Sequence, residues 1–450
     1  MLPRRSAGQT SGSNVDWADH IQKIGVDGSA FDLKAAPIEK VRIAIVGVGN
    51  RGSSLINMLE WLVGEGHAEI TALCDVNAAK VDRAIEQVAG FQSSVPARFD
   101  ADADAWKSAC SEDIADLLLI CTPWEKHTEM SLHAMRAGLH AASEVPIAYS
   151  VEDCAELVLT SEKTRRHCIM LENCCYNEEE LWLLNMIEEG VFGTLTHAEC
   201  AYLHDLRVMM LDPTYYEDRW RLKHHLQRDG NLYTTHGLGP VCMYFDILRG
   251  DTLTHLVSMS SQEASLSEAM AADEDPAIRA LAGDVRCGDV NTTLIKTAKG
   301  RSIMLQFDTH SGRPYSRLNK LVGSGAAHYG YPSKLYVDQG PSWSHQWLND
   351  SEAAEMRDRY AHPLWTRLSE QVAQNRSGHG GMDFVMMYRL IRCLNLGESL
   401  DLNVYDGALW SLVGALGEQS VAGGSVRVDI PDLTGGRWRE ARRHPVSRTL

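Results

Sequence analysis

A glycine-rich turn between a buried strand and a helix constrains the fold of this chain more than any other feature of its sequence. The apolar run Val41–Val46 leads directly into residues 47–52 (GVGNRG), and a helical pattern follows. In this setting the first glycine permits a tight turn, the second lets the backbone approach a pyrophosphate, and the third lets helix and strand pack closely. The N-terminus of the helix also favours the anion. The segment predicts a dinucleotide site formed by Gly47, Gly49, Asn50, Arg51 and Gly52.

Strands and helices alternate after this turn. Apolar and periodic segments predict strands at Val41–Val46, Glu69–Cys74, Ala115–Cys121 and His140–Ser143, and helices at Ala78–Ala89, Glu125–Ala137 and Val151–Thr164. Such alternation is typical of an α/β fold with a doubly wound parallel sheet. We therefore expect a Rossmann domain over residues 38–166, preceded by an N-terminal arm over residues 1–37.

The pattern changes beyond residue 166, because the predicted strands follow one another without alternating helices. These strands are Thr196–Leu203, Thr254–Ser260, Asn291–Thr297, Arg301–Asp308 and Asn319–Gly323. The pattern favours an α+β substrate and oligomerisation domain over residues 167–450, with an open, mostly antiparallel sheet and helices that return to the Rossmann domain. The open sheet is a natural surface for a homodimer or homotetramer. The acidic stretch Glu263–Asp275 is expected to be a solvated loop or helix face.

Length, charge and cysteine content bound the possible partners. The chain of 450 residues is long enough for two domains. Its formal net charge of −17 argues against nucleic acid, and its longest apolar runs have the length of strands, so no membrane span is expected. The eleven cysteines are expected to be buried thiols, and no spaced Cys/His set predicts a metal site. No apolar run follows Arg4-Arg5, so the sequence as it stands predicts a cytoplasmic protein, with a removed export leader left open.

Polar residues at the strand ends add to the predicted site. Asp75 closes the second strand, where a carboxylate can accept hydrogen bonds from both ribose hydroxyls and would repel a 2′-phosphate, which favours NAD over NADP. A helix N-cap is its alternative role. Ligands of such sheets bind at the carboxyl edge of the strands. At this edge we expect cofactor contacts from Thr122, Pro123, Trp124, His127 and Glu144.

With these features the chain resembles the glucose-fructose oxidoreductase / inositol dehydrogenase superfamily over nearly everything after residue 38. That superfamily usually carries Glu-Lys-Pro where this chain has Glu144-Val145-Pro146. The family lysine assists proton transfer in ordinary dehydrogenation. Its absence weakens the interpretation of this chain as a plain dehydrogenase.

A narrower resemblance, to glycoside hydrolase family 109, is carried by five segments. These are residues 171–176 (LENCCY), 204–207 (HDLR), 231–240 (NLYTTHGLGP), 313–317 (RPYSR) and 378–383 (GHGGMD). Members of that family are NAD-dependent glycosidases best known as α-N-acetylgalactosaminidases. One departure is visible, because the family usually has proline where Thr234 stands.

The resemblance implies a retaining exo-glycosidase that acts on the terminal sugar of a glycan with tightly bound, recycled NAD+. In the implied mechanism the sugar is oxidised transiently at C3, which acidifies the proton at C2. Elimination then breaks the glycosidic bond, water adds at C1, and re-reduction at C3 restores the cofactor. No pair of flanking carboxylates is needed, unlike in ordinary glycoside hydrolysis.

The resemblance also implies roles for individual residues. Tyr176 matches a tyrosine at the sugar and is predicted to be the base for the C2 proton, and His236 is predicted to transfer a second proton. Tyr233 stands three residues before His236, so both side chains should share a face, with Gly237 and Gly239 leaving the backbone open to ligand. Substrate contacts are predicted for Glu144, Arg221, Tyr233, Tyr315 and His379. The alternative for Tyr176 and for His236 is a core position with its polar atoms satisfied. For Arg221 it is a surface ion pair, and for Glu144 a surface position before the Pro146 turn. Structural roles are expected for most of Trp182, His224, His225 and Trp343.

Two other functions compete with the glycosidase. An ordinary NAD-dependent sugar or cyclitol dehydrogenase fits the fold but lacks a lysine at Val145. A non-catalytic protein that senses NAD or sugar would have no need for a proton-transfer set such as Tyr176, Tyr233 and His236. Free sugar with NAD+ separates the first two, because only the dehydrogenase would accumulate NADH.

Overall fold

The structure is a computed structural model that describes residues 17–338, 345–374 and 379–447. Residues 1–16 of the predicted arm, with Arg4-Arg5, lie outside the described residues, as do Trp343 and Gly378. Residues 17–37 pack against the rest of the chain. Their helix α1 (Trp17–Ile24) buries Ile21, and Phe31 stacks on Tyr405 with 5.4 Å between ring centroids.

A parallel sheet follows, as the alternation of elements predicts. Its strands are β1 (Val41–Val46), β2 (Ala68–Cys74), β3 (Ala97–Phe99), β4 (Leu117–Ile120), β5 (His140–Ser143) and β6 (Cys168–Met170). Over the described residues the order is β3-β2-β1-β4-β5-β6, with every pair parallel. The strands are almost continuously apolar because helices cover both faces. These helices are α2 (Asn50–Gly64), α3 (Ala78–Ala89), α4 (Trp106–Ala109), α5 (His127–Arg136) and α6 (Val151–Thr164).

The second sheet is mostly antiparallel, which confirms the predicted fold class. Its strands are β7 (Leu195–Leu203), β8 (Leu253–Ser260), β9 (Asn291–Thr297), β10 (Ser302–Asp308), β11 (Lys320–Gly323), β12 (Ala326–Tyr329), β13 (Lys334–Val337) and β14 (Val428–Asp429). In the part of the chain that the structure describes, their order is β13-β12-β11-β7-β10-β9-β8-β14. Of the strand pairs in the described ranges, only the central one, β7 with β10, is parallel.

Helices of the second half cover the inner face of this sheet and reach back to the first sheet. They are α7 (Glu178–Glu188), α8 (Arg207–Leu211), α9 (Trp220–Gln227), α10 (Thr235–Tyr244), α11 (Ser265–Ala271), α12 (Pro276–Leu281), α13 (Asp350–Arg359), α14 (Pro363–Arg367), α15 (Ser369–Gln374), α16 (Met382–Leu396) and α17 (Val404–Ala422). Phe384 of α16 packs edge-on against Trp61 of α2, with 5.9 Å between ring centroids. Among the described residues no helix combines the length and the apolar character needed to span a bilayer.

The structure adds elements that the sequence did not predict. The strands β3, β12, β13 and β14 and the helix α4 are each four residues or shorter, too short to show a clear periodicity. The sequence does predict a buried strand at residues 169–171, and the structure adds it, as β6, to the first sheet, just past the predicted end of the Rossmann domain at residue 166. Helix α11 lies within the acidic stretch and buries Leu266 and Met270, so that stretch is only partly solvated. All eleven cysteines lie within the described residues as free thiols, and ten are buried.

Candidate active site

The glycine-rich turn has the shape that a dinucleotide requires. A Cβ on Gly52 would lie 2.1 Å from the Gly47 carbonyl oxygen, and Gly47 itself has a φ of +85°. These two positions therefore need glycine for the turn and for the contact between strand and helix. A Cβ on Gly49 would meet only Lys80 Nζ, at 3.7 Å, so open space lies above this residue. Helix α2 begins there without a side-chain cap, which leaves its first N–H groups for an anion.

Asp75 lies beside this turn and organises it. Its carboxylate accepts hydrogen bonds from Val48 N at 3.0 Å and from Asn77 N at 2.9 Å. Burial raises the pKa of this carboxyl. The N-cap of α3 is Asn77, whose side chain accepts from Ala79 N, so the alternative role of Asp75 as the cap is wrong. Its remaining lone pairs stay suited to ribose hydroxyls.

The residues after β4 take different positions at the sheet edge. Thr122 and Pro123 are half-buried at the strand end. Trp124 is buried and stacks on Tyr233, with 5.7 Å between ring centroids, so it joins the two halves of the site. The ring of His127 is only 1% exposed. Its nitrogens face the carbonyl oxygens of Thr122 and Pro146 at 2.8 and 2.7 Å, so the ring fixes the strand-end loop.

Arg51 and Glu144 belong to an ion-pair network that reaches α16. Arg51 Nε donates to Glu144 Oε1 at 2.7 Å, and Arg51 Nη1 donates to Asp383 Oδ2 at 2.7 Å. Asp383 also accepts from Asn173 Nδ2 at 2.7 Å and faces His379 Nδ1 at 2.9 Å. Burial alone would raise the pKa of Asp383, but His379 and Arg51 hold it well below its usual range. The predicted residues Arg51, Glu144 and His379 are thus brought together, and the network ties the glycine-rich turn to α16.

A buried carboxylate orients His236. Helix α10 begins one residue before His236, whose Nδ1 lies 2.7 Å from Glu172 Oε1. Glu172 is wholly buried and also accepts from Cys174 N at 3.2 Å. Burial alone would raise the pKa of Glu172, but the adjacent His236 holds it below its usual range. With Nδ1–H donated to the carboxylate, the Nε2 of a neutral His236 keeps a lone pair for a proton.

Tyr233, His236 and Arg221 lie together, as the sequence predicts. The ring centroids of Tyr233 and His236 are 4.8 Å apart. Arg221 is buried with Cζ 4.8 Å from the ring centroids of both Trp124 and Tyr233, and it donates to the Tyr216 hydroxyl at 3.1 Å. Within the described residues no carboxylate pairs with Arg221. Its charge therefore acts on the aromatic rings and on whatever the site binds.

Tyr202, His204 and Tyr315 complete the aromatic wall. Tyr202 is the penultimate residue of β7. Its ring centroid lies 4.6 Å from that of Tyr233, and its hydroxyl lies 3.1 Å from His204 Nδ1. Tyr315 forms the outer rim at 37% exposure, 5.2 Å from His204 between ring centroids. Burial raises the pKa of Tyr202 and of Tyr233, so both are protonated phenols at neutral pH.

Sequence reasoning missed Tyr202, His204, Glu172 and Asn173 as site residues. His204, Glu172 and Asn173 stand inside the matched segments, and Tyr202 lies two residues before one of them. Their position next to predicted site residues was the available signal. Which of them face the site depends on the pairing of β7 with β10 and β11, which no local pattern shows.

Tyr176, the predicted base, makes none of the ring contacts that join this cluster within the described residues, and its role stays a prediction. Its side chain is 1% exposed, and burial raises its pKa well above the usual range. The charged groups that act on it are Arg389 of α16 and Asp401, which form a buried ion pair with each other. A phenolate here would lie near the Asp401 carboxylate, which favours the structural alternative for Tyr176.

The glycines after His236 have a packing role. A Cβ on Gly237 would lie 2.6 Å from Ala201 N of β7, and one on Gly239 would lie 3.0 Å from Glu172 Cγ. The prediction that they leave the backbone open to ligand is therefore wrong. They let α10 lie close to β7 and to Glu172, which positions His236.

Comparisons with known proteins agree with the first half of this site. Residues 41–171 match the model of the oxidoreductase family with an NAD-binding Rossmann fold. An NAD binding oxidoreductase from Klebsiella pneumoniae has a similar structure, with a TM-score of 0.64, 14% identity, and coverage of 88% of this chain and 100% of that one. A levoglucosan dehydrogenase in complex with NADH and levoglucosan gives a TM-score of 0.64 at 17% identity, covering 87% and 100%. These likenesses show the fold, and with the turn geometry they define an NAD-binding Rossmann protein.

The second half identifies the family. Residues 176–440 match the model of the glycosyl hydrolase 109 C-terminal domain. A glycosyl hydrolase family 109 protein 1 of Shewanella sp. (strain MR-7) is 42% identical over 432 residues, which are 95% of this chain and 92% of that protein. A protein of Shewanella oneidensis named alpha-N-acetylgalactosaminidase is 42% identical over 419 residues, or 92% and 89% of the two chains. The chain belongs to glycosyl hydrolase family 109 and is a glycoside hydrolase on an NAD-binding fold.

Proposed function

We propose that this protein is a retaining exo-glycosidase that uses bound NAD+ to release a terminal α-linked N-acetylgalactosamine. The observation that carries the proposal is the Glu172–His236 pair, which faces the aromatic wall beside the carboxyl edge of the Rossmann sheet. Trp124 of that edge stacks on Tyr233, so a sugar against the wall would lie next to the cofactor site. The name of the Shewanella oneidensis relative supports the choice of sugar.

The residues present fit NAD+. The turn from Gly47 to Gly52 would hold the pyrophosphate, Asp75 the ribose, and the edge at Thr122 and Glu144 the nicotinamide end. When bound, NAD+ supplies reversible oxidation at the sugar C3, which acidifies the proton on C2. The segment after α8 supports tight retention, because Tyr215 O accepts from Asn50 Nδ2 at 3.3 Å and Glu217 pairs with Lys80. This segment lies across the open space above Gly49.

His236 takes the proton of the sugar C3 hydroxyl in this proposal. Its Nδ1–H is held by Glu172 at 2.7 Å, so Nε2 accepts the proton and the carboxylate stabilises the resulting imidazolium. Glu172 therefore acts as a positioning residue. The same His236 returns the proton when the hydroxyl is restored.

Tyr202 and His204 together remove the proton from C2 of the sugar. The Tyr202 hydroxyl donates to His204 Nδ1 at 3.1 Å, and burial lowers the pKa of His204, which keeps its ring neutral and able to accept. Tyr202 can thus pass its proton to His204 while it removes the proton from C2. Arg221 lowers the cost of a transient phenolate, because its charge already opposes the rise in the Tyr202 pKa. Tyr233 and Tyr315 orient the sugar ring.

The alternative function, a plain dehydrogenase, would need a proton-transfer residue at the end of β5, and the chain has none at the family position. Val145 is 3% exposed and apolar, so it offers no proton donor where the superfamily places lysine. The levoglucosan dehydrogenase among the similar structures is 17% identical, a likeness that shows the fold alone.

The test is incubation of the purified protein with p-nitrophenyl α-N-acetylgalactosaminide in deuterated water. We expect release of p-nitrophenol, an α-configured product and deuterium at C2. His236→Asn should abolish release, whereas Tyr176→Phe, a change in a core tyrosine, serves as the matched control. Release without C2 deuterium would refute the redox mechanism. No release from α- or β-glycosides, together with NADH formed from free sugars, would replace the proposal by a dehydrogenase.

The assembly and the domain division are part of the same proposal. The outer face of the second sheet exposes apolar side chains, among them Met259, Leu294 and Val322. We assign this face to a homodimer or homotetramer, which light scattering after gel filtration measures directly. In this proposal the first sheet, up to and including β6, binds NAD, and the second sheet with its helices binds substrate and forms the interface.

A further inference from the structure

Three buried side chains from distant parts of the chain meet outside the active site. They are His225 of α9, Cys287 before β9, and His310 after β10, each with a relative exposure of 0%. One potential ligand atom of each lies within 4.8 Å of the others. His225 Nδ1 and His310 Nε2 are 2.9 Å apart.

Hydrogen bonding leaves this cluster incomplete. Two neutral imidazoles share one hydrogen bond between the facing nitrogens, and the outer nitrogens need partners of their own. His225 Nε2 is buried and lacks a hydrogen-bond partner within the described residues. His310 Nδ1 lies 3.4 Å from Asp289 Oδ1, which is long for a hydrogen bond. A buried, polar, incompletely bonded cluster of this kind needs an explanation.

We propose that His225, Cys287 and His310 bind a zinc ion. Imidazole and thiolate ligands select zinc over magnesium or calcium, which prefer oxygen. Asp289 fits the carboxylate that commonly accepts the second N–H of a metal-bound histidine, so His310 would present Nε2 to the ion. Binding releases the thiol proton of Cys287 to solvent.

The ion would stabilise the helix that carries Arg221. His225 stands four residues after Arg221, on the same face of α9. A zinc site would join this helix to the segments beside β9 and β10, and so hold Arg221 against Trp124 and Tyr233. This role is structural and does not depend on the glycosidase activity. The sequence predicted no metal site because the three ligands have no local spacing.

The experiment starts with the intact protein, purified without a metal-affinity tag. We expect mass spectrometry of the metal content to find about one zinc ion per chain, held by three protein ligands with the fourth tetrahedral position left for water. After chelation, Co2+ should restore binding and give a thiolate-to-cobalt absorption band in the near ultraviolet. Asp289→Asn should weaken zinc affinity by roughly 10- to 100-fold, as losses of such partners do.

Two serine variants locate the site. Cys287→Ser should remove the thiolate band. Cys174→Ser is the matched control, because Cys174 lies in a second cluster with Glu172 and His236, and it should keep the band. A wild-type protein that neither contains nor takes up Zn2+ or Co2+ would overturn the proposal, even if a variant failed to fold. So would a band lost in Cys174→Ser and kept in Cys287→Ser.

Discussion

The substitution Glu172→Gln removes the charge behind His236 while keeping the size of the side chain. Glutamine can still accept from His236 Nδ1 and Cys174 N through its carbonyl oxygen, so the orientation of the ring survives. What disappears is the carboxylate that stabilises the imidazolium. The variant therefore separates charge from geometry at this position.

The size of the effect follows from the 2.7 Å contact between His236 Nδ1 and Glu172 Oε1. Unit charges centred about 4 Å apart interact by about 4 kcal/mol at an effective dielectric constant of about 20. Each 1.36 kcal/mol changes a rate about tenfold, which gives a ceiling of about 10³-fold. His236 keeps 14% side-chain exposure, and water screens part of the charge. We expect kcat to fall by about 10²- to 10³-fold, within the range of general acid–base effects.

Release of p-nitrophenol under saturating substrate gives kcat, and circular dichroism reports the fold. The KM should change little, because Glu172 does not face the sugar in the proposed arrangement. Glu162→Gln is the matched control: this buried glutamate accepts from Gly28 N and the Tyr405 hydroxyl, away from the site. A folded Glu172→Gln protein with kcat within about threefold of wild type would refute the role of the pair.

Four further substitutions test other parts of the structure. Tyr176→Phe should leave kcat within about twofold, and a loss of about 10²-fold would restore Tyr176 as the base. Asp75→Asn should lower the ratio of the dissociation constants for NADP+ and NAD+ by about tenfold in calorimetric titrations, because the charge that repels a 2′-phosphate is lost. An unchanged ratio would mean that the carboxylate does not face the ribose. Glu217→Gln should speed loss of NAD on gel filtration by up to about fivefold, a small effect because the ion pair of Glu217 with Lys80 is partly exposed. Unchanged retention of NAD would contradict the proposed role of the segment after α8. Burial lowers the pKa of His140 to about 4, so its contribution to stability is complete above pH 6.5 and is lost as the pH falls towards 4. In His140→Asn the free energy of unfolding should therefore fall less between pH 6.5 and pH 4, by up to about 3 kcal/mol. A fall equal to that of the wild type would contradict this role of His140.

The sequence by itself determined the cofactor half of the protein. The glycine-rich turn needs a strand before it and a helix after it, and all three are adjacent in the chain. Local periodicity therefore predicted most strands and helices of the first sheet, and the positions of Gly47, Gly52 and Asp75 with them. The pair Tyr233 and His236 was also predictable, because their spacing of three residues is a local property.

Only the tertiary structure decided the substrate half. It packed α10 closely against β7 at Gly237, which brings Tyr202 beside Tyr233 although more than 25 residues separate them in the chain. It also placed Tyr176 near Arg389 of α16. A residue in a loop after a strand can point its side chain to either side, and only the packing of the surrounding elements decides which. The partners of His236 and Arg51 are likewise set by packing between distant segments. Contacts between distant segments leave no periodic pattern in the sequence. The site residues that depend on them can therefore be recognised only in the tertiary structure.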